Sequence, residues 1–171
     1  MLRVGLTGGL GSGKSTVAAA LRSLGAEVHL LGRDEPSLRF ARDLGFGSTW
    51  SRDTLPDLAF DAVIDASTAR ELPSLAAGIV EPGGRVVYIG LSAEPSLLDT
   101  RTLVLKDVTA TGVLSASGGL AEMISLYASG AVDPRPIVAA TVGLEQVAAV
   151  LAGHRPPEWG SAPKVQVDPG C

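Results

Sequence analysis

Residues 4–16 read VGLTGGLGSGKST, and the reading of this stretch decides the fold. A short apolar run, residues 2–7, enters a glycine-rich turn, and the turn opens into a segment with helical spacing. Two patterns compete for the turn. Gly8-x-x-x-x-Gly13-Lys14-Ser15 is a complete Walker A phosphate loop. Gly9-x-Gly11 opens a dinucleotide-binding turn whose third glycine position is held by Lys14. Both patterns aim backbone N–H groups and the positive end of a helix at a phosphate. Either one predicts a strand–loop–helix unit at the start of an α/β domain.

Outward from this unit, strand and helix alternate. Residues 14–24 place Val17, Leu21 and Leu24 on one helical face. Residues 25–32 read as a second strand, 35–45 as a helix beginning near Pro36, and 47–50 as a short third strand. Strands follow at 61–67, 83–90 and 108–116, with helices at 69–80 and 119–130. Residues 136–143 and 163–168 read as further strands around a helix at 144–153, and 154–163 as a surface loop. Such βα alternation predicts a mainly parallel sheet covered by helices on both faces, joined by right-handed crossovers. One domain over residues 1–171 is expected, with residues 1–28 as its first β-loop-α unit.

Composition narrows the function classes. The chain has 171 residues, 46% hydrophobic and 19% charged, enough for one sizeable core. Net charge is −4 and no basic run is present, which argues against nucleic acid as a partner. Only 4% of residues are aromatic, so single strands would find few stacking platforms. The single cysteine, Cys171, and the two histidines, His29 and His154, make a zinc site from these residues improbable. No apolar run is long enough for a membrane span, and no signal-peptide pattern opens the sequence. A cytoplasmic protein with no membrane partner is expected.

Two resemblances divide the chain unequally. Residues 1–28, MLRVGLTGGLGSGKSTVAAALRSLGAEV, resemble the N-terminus of dephospho-coenzyme A kinases. That resemblance stops where the kinase family continues into an acidic segment carrying its catalytic aspartate; here the sequence reads HLLG. From about Gly25 to Pro169 the chain resembles the coenzyme-binding domain of medium-chain, zinc-type alcohol dehydrogenases. The runs that carry this are GAEVHLLGRDEPSLRFARDLG, FDAVIDAS, IVEPGGRVVYIG and LYASGAVDPRPIVAATVGLEQVAAVLAG. The resemblance implies a doubly wound, Rossmann-like three-layer αβα sandwich with a parallel six-stranded sheet in the order 3-2-1-4-5-6. The family's catalytic domain, which supplies zinc ligands and a proton relay, has no counterpart in these residues. Gly9 to Arg33 spans the family's distance from first glycine to the tip of strand two, so Gly9 and Gly11 match its glycines and Lys14 replaces the third.

The juxtaposition reads as an engineered or recombined chimera. It would bind nucleotide phosphates, ATP-like and with Mg²⁺, through Gly8, Gly9, Leu10, Gly11, Ser12, Gly13, Lys14, Ser15 and Thr16. The Ser15 hydroxyl is the expected Mg²⁺ ligand, and Asp65, at the tip of the strand AVID, is a second candidate. The alternative is an NAD(P)-binding module. There Arg33 stands at the strand-two tip, where an Arg suits the 2′-phosphate of NADP and an acid suits the ribose of NAD, with Asp34 adjacent. Gly90, Leu91 and Ser92, and Ser115, Ala116 and Ser117, end strands on the same ligand edge. A third reading is a folded scaffold without a tight ligand. Neither phosphoryl-transfer nor hydride-transfer machinery is complete, so efficient catalysis is not expected and no residue is assigned a catalytic role. An exposed apolar face would favour a homo-dimer.

Overall fold

The computed structural model describes residues 1–8, 14–114 and 118–170. The chain divides into two compact units, 1–132 and 133–171.

The first unit begins with β1 (Arg3–Thr7), α1 (Lys14–Ser23), β2 (Glu27–Leu31), α2 (Glu35–Asp43) and β3 (Thr49–Trp50). It continues through β4 (Phe60–Asp65), α3 (Leu72–Ile79), β5 (Val80–Tyr88), α4 (Thr100–Lys106), β6 (Thr109–Gly112) and α5 (Leu120–Ala128). Six strands form one sheet in the order β3-β2-β1-β4-β5-β6, every pair parallel. This is the doubly wound Rossmann-like order expected from the sequence.

The register explains why the strands are apolar along most of their length. Val4 lies beside Val28 and Ala62, and Leu6 beside Leu30 and Ile64. These residues share one face and pack with Ala18 of α1 and Ala41 of α2. The alternate positions Gly5, His29 and Val63 face the other way. On that side Phe60, Val63 and Val86 pack with Ala76 of α3. Both faces are therefore covered, as a parallel sheet requires.

His29 is a buried polar residue in this core, and its partners fix its chemistry. The Trp50 indole N–H donates to His29 Nδ1 at 3.0 Å. An indole nitrogen only donates, so Nδ1 is the acceptor and the proton sits on Nε2. Nε2 then donates to Glu27 Oε1 at 3.0 Å. The ring also meets Phe60 edge-on, with centroids 5.3 Å apart.

Several boundaries differ from the sequence reading. The helix expected over 69–80 spans Leu72–Ile79 and passes directly into β5 at Val80. The strand expected at 83–90 is Val80–Tyr88, so Pro82, Gly83 and Gly84 lie inside β5, where the register against β4 shifts between Phe60 and Ala62. The strand expected at 108–116 is Thr109–Gly112; Ser115, Ala116 and Ser117 lie outside the described residues. The helix α4 was not read from the sequence. Asp99 caps it by accepting from the Arg101 N–H at 3.0 Å.

The second unit contains β7 (Val138–Val142), α6 (Val147–Leu151) and β8 (Lys164–Val167). β7 and β8 pair in parallel as a separate two-stranded sheet. Among the described residues, no helix is long and apolar enough to cross a membrane.

Candidate functional site

In the sheet order, β1 and β4 are neighbours whose chain connections leave toward opposite edges. A doubly wound sheet opens a crevice at such a point, beyond the carboxyl ends of its strands. A cavity of about 430 Å³ lies there. Its walls come from the segments that follow β1, β2, β3 and β4: Gly8, Gly32 with Arg33, Ser51 with Arg52, and Ser67 with Thr68. Gly8 has φ +141°, a conformation that excludes most side chains and lets the backbone turn at the cavity wall.

Of the residues in the phosphate-loop motif, Gly9, Leu10, Gly11, Ser12 and Gly13 lie outside the described residues. Lys14 is the first residue of α1 and is buried. Its Nζ donates to the carbonyl oxygen of Gly8. Burial lowers its pKa from the usual 10.5 to about 8, an effect that the nearby Asp34 carboxylate partly opposes. Ser15 and Thr16 follow it on α1 and are half-buried.

Arg33 and Asp34 stand at the tip of β2, but the two side chains have different duties. Asp34 is the N-cap of α2: its Oδ1 accepts from the Ser37 N–H at 3.0 Å and from the Ser37 hydroxyl at 2.6 Å. Those bonds, with a smaller contribution from Arg33, hold its carboxyl below the usual carboxylate range. Arg33 lies in solvent, its side chain 88% exposed, with Nε 3.3 Å from Asp34 Oδ2.

Asp65 ends β4 and is buried. Its Oδ1 accepts from the Thr7 hydroxyl at 2.5 Å and from the Ser67 N–H at 2.9 Å. Its carbonyl accepts from Ile89 and Gly90 at 2.8 and 3.0 Å. These bonds tie the ends of β1, β4 and β5 together and give the carboxylate an architectural use. Gly90 belongs to the same junction: a Cβ there would fall 1.7 Å from the Ser67 carbonyl oxygen.

Ser67 is a candidate site residue that the sequence does not single out. It is buried, and its Oγ has no hydrogen-bond partner among the described residues. A buried hydroxyl left unpaired costs about 1–3 kcal/mol, which makes Ser67 Oγ a candidate contact for a ligand or water. Its only sequence signal was its place two residues past the strand tip at Asp65.

The donor set for metals is poor. Among the described residues, no group of three or more His, Cys, Asp or Glu could hold a metal ion.

The fold and its crevice define a doubly wound Rossmann-like domain. A zinc-binding dehydrogenase family model matches residues 11–129, and the chain belongs to that family. The match begins at residue 11 and includes Lys14. A Rhizobium meliloti protein bearing the name of a D-xylulose reductase is 32% identical over 90 residues, which are 53% of this chain and 25% of that protein. A zinc-binding dehydrogenase from Sinorhizobium meliloti, solved bound to NADP, superposes with a TM-score of 0.82 at 19% identity. The match covers 98% of this chain and 52% of that one. A short chain alcohol dehydrogenase from Escherichia coli, solved with NADH, gives 0.79 at 19% identity, covering 88% of this chain and 47% of that one. The chain thus spans about half the length of these solved relatives. These likenesses support the dehydrogenase half of the sequence reading. They lend no support to a kinase-derived segment, a chimera or an ATP site.

Proposed function

We propose that this chain is the NAD(P)-binding module of a dehydrogenase. The observation that carries the reading is the buried Ser67 hydroxyl, without a partner among the described residues, in the wall of the crevice at the β1–β4 switch point. The cavity would take the adenosine half of the dinucleotide, with Ser67 Oγ bonding to it. The glycine turn and the start of α1 would take the pyrophosphate, and the Lys14 ammonium would add charge there. The bound dinucleotide would supply hydride chemistry, while these residues bind and orient it.

Cytoplasmic location and a homo-dimer belong to the same proposal. The second is supported by the exposed apolar Val104 and Leu105 of α4.

Binding is tested by titrating the full chain into NADPH and following nicotinamide fluorescence, with Mg²⁺·ATP as competitor. Saturable binding that Mg²⁺·ATP displaces only weakly is the expected result. Displacement by Mg²⁺·ATP at lower concentration than unlabelled NADP⁺ would favour the ATP-like reading of residues 8–16. Ser67→Ala should weaken NADPH binding several-fold, about the value of one hydrogen bond.

A further inference from the structure

We infer that the cavity selects a dinucleotide phosphorylated on its adenosine ribose, and that Arg52 is the second arm of a phosphate clamp begun by Arg33. This rests on the dinucleotide reading above and adds the ligand class.

The sheet register brings the segments that carry the two arginines to one cavity. Leu31 of β2 is paired with Trp50 of β3, and the Gly32 N–H donates to the Trp50 carbonyl at 3.0 Å. Arg33 and Arg52 each stand two residues beyond that registered pair, in the segments that follow β2 and β3. Both line the same cavity.

A 3-10 turn at Arg52–Thr54 fixes where Arg52 starts. Ser51 Oγ accepts from the Thr54 N–H at 3.3 Å, and Thr54 Oγ1 accepts from the Ser51 N–H at 2.9 Å. The reciprocal bonds hold the backbone under Arg52 while its side chain stays 64% exposed.

The acids nearby do not reproduce an NAD-type site. A ribose-binding acid at the β2 tip would accept from the 2′-hydroxyl. Asp34, the acid present, spends Oδ1 on capping α2 and faces Arg33 with Oδ2. Arg52 meets Glu71 only at 3.8 Å, with both side chains more than half exposed. Such a pair is worth little and is readily exchanged for a dianionic phosphate, which two guanidinium forks bind in bidentate fashion. Asp53 and Glu71 line the cavity as well, and they work against free anions. The selectivity therefore comes from geometry at the two arginines and not from a generally basic surface.

The test is calorimetric titration of the full chain with NADP⁺, NAD⁺ and the fragment 2′,5′-ADP, for the native sequence, Arg33→Ala, Arg52→Ala and Glu71→Gln. Both arginines are exposed, so each variant is expected to fold; its unliganded melting curve checks this. The native chain should prefer NADP⁺ over NAD⁺ by about ten- to hundredfold. Arg52→Ala should lose most of that preference through weaker NADP⁺ binding while NAD⁺ affinity holds, and Glu71→Gln should strengthen NADP⁺ binding. Equal affinity for NAD⁺ and NADP⁺ in the native chain, or a preference that survives Arg52→Ala, would overturn the inference and leave the dinucleotide reading standing. Failure of all three ligands to bind would overturn both.

Discussion

The ammonium of Lys14 donates to the main-chain carbonyl of Gly8, so the side chain that replaces a glycine in the dinucleotide pattern reaches back to the residue just past β1. A buried lysine in this position is a cost to the empty protein. Its pKa is about 8 in the fold and near 10.5 when the chain is unfolded. Below pH 8 both states hold the proton, and the penalty is fully present. Between pH 8 and 10.5 the unfolded state holds more protons, so stability rises with pH across that window.

Lys14→Met should therefore stabilise the unliganded chain at pH 7 by on the order of 2 kcal/mol and abolish the alkaline rise. Urea unfolding at several pH values between 7 and 10.5 reads both effects. The same variant should bind NADPH more weakly at pH 7, and native affinity should fall as pH climbs past 8 and the ammonium discharges.

Asp65 holds two donors that are otherwise buried, the Thr7 hydroxyl and the Ser67 N–H. Asp65→Ala leaves both without an acceptor and should cost about 2–5 kcal/mol. Asp65→Asn keeps one acceptor oxygen and should cost less. Denaturant midpoints separate the two. If the residue were instead chiefly a Mg²⁺ ligand, Asp65→Asn would abolish Mg²⁺-dependent stabilisation while leaving the metal-free midpoint unchanged.

Gly90→Ala places a methyl group against the Ser67 carbonyl. Neither partner is a flexible side-chain end, so the β4–α3 segment must move. A loss above about 3 kcal/mol is expected, with weakened nucleotide binding because Ser67 moves too. A Gly90→Ala chain with native melting temperature would contradict the described approach.

Trp50→Phe removes the donor to His29 Nδ1 inside the core. A cost of about 1–3 kcal/mol is expected in urea unfolding.

The fold was legible because buried parallel strands are apolar runs separated by amphipathic helices, and residues 2–7, 25–32 and 61–67 carry that pattern plainly. The order of the six strands followed from the dehydrogenase resemblance. Boundaries were less legible where local chemistry points the wrong way. Pro82-Gly83-Gly84 carries turn residues, yet lies inside β5 because a register shift against β4 absorbs the irregularity. α4 is seven residues long and rich in Thr, Val and Leu, too short to show a helical period.

In the site, Lys14 and Arg33 were readable from spacing to the glycines. Ser67 and Arg52 were not, since only the pairing of β1 with β4 and of β2 with β3 brings their segments to one cavity. Likewise Asp34 reads as a competing ribose ligand until its bonds to Ser37 show it capping α2.

The central claim is that this crevice holds a nicotinamide dinucleotide. Its most direct test is the thermal unfolding midpoint of the full chain in buffer, with NADP⁺, with Mg²⁺·ATP and with inorganic phosphate. At ~100 times its dissociation constant, a ligand adds about 2.7 kcal/mol of stability. A rise of several degrees with NADP⁺, and little or none with Mg²⁺·ATP or phosphate, is the expected result. A rise with Mg²⁺·ATP and none with NADP⁺ would contradict the claim.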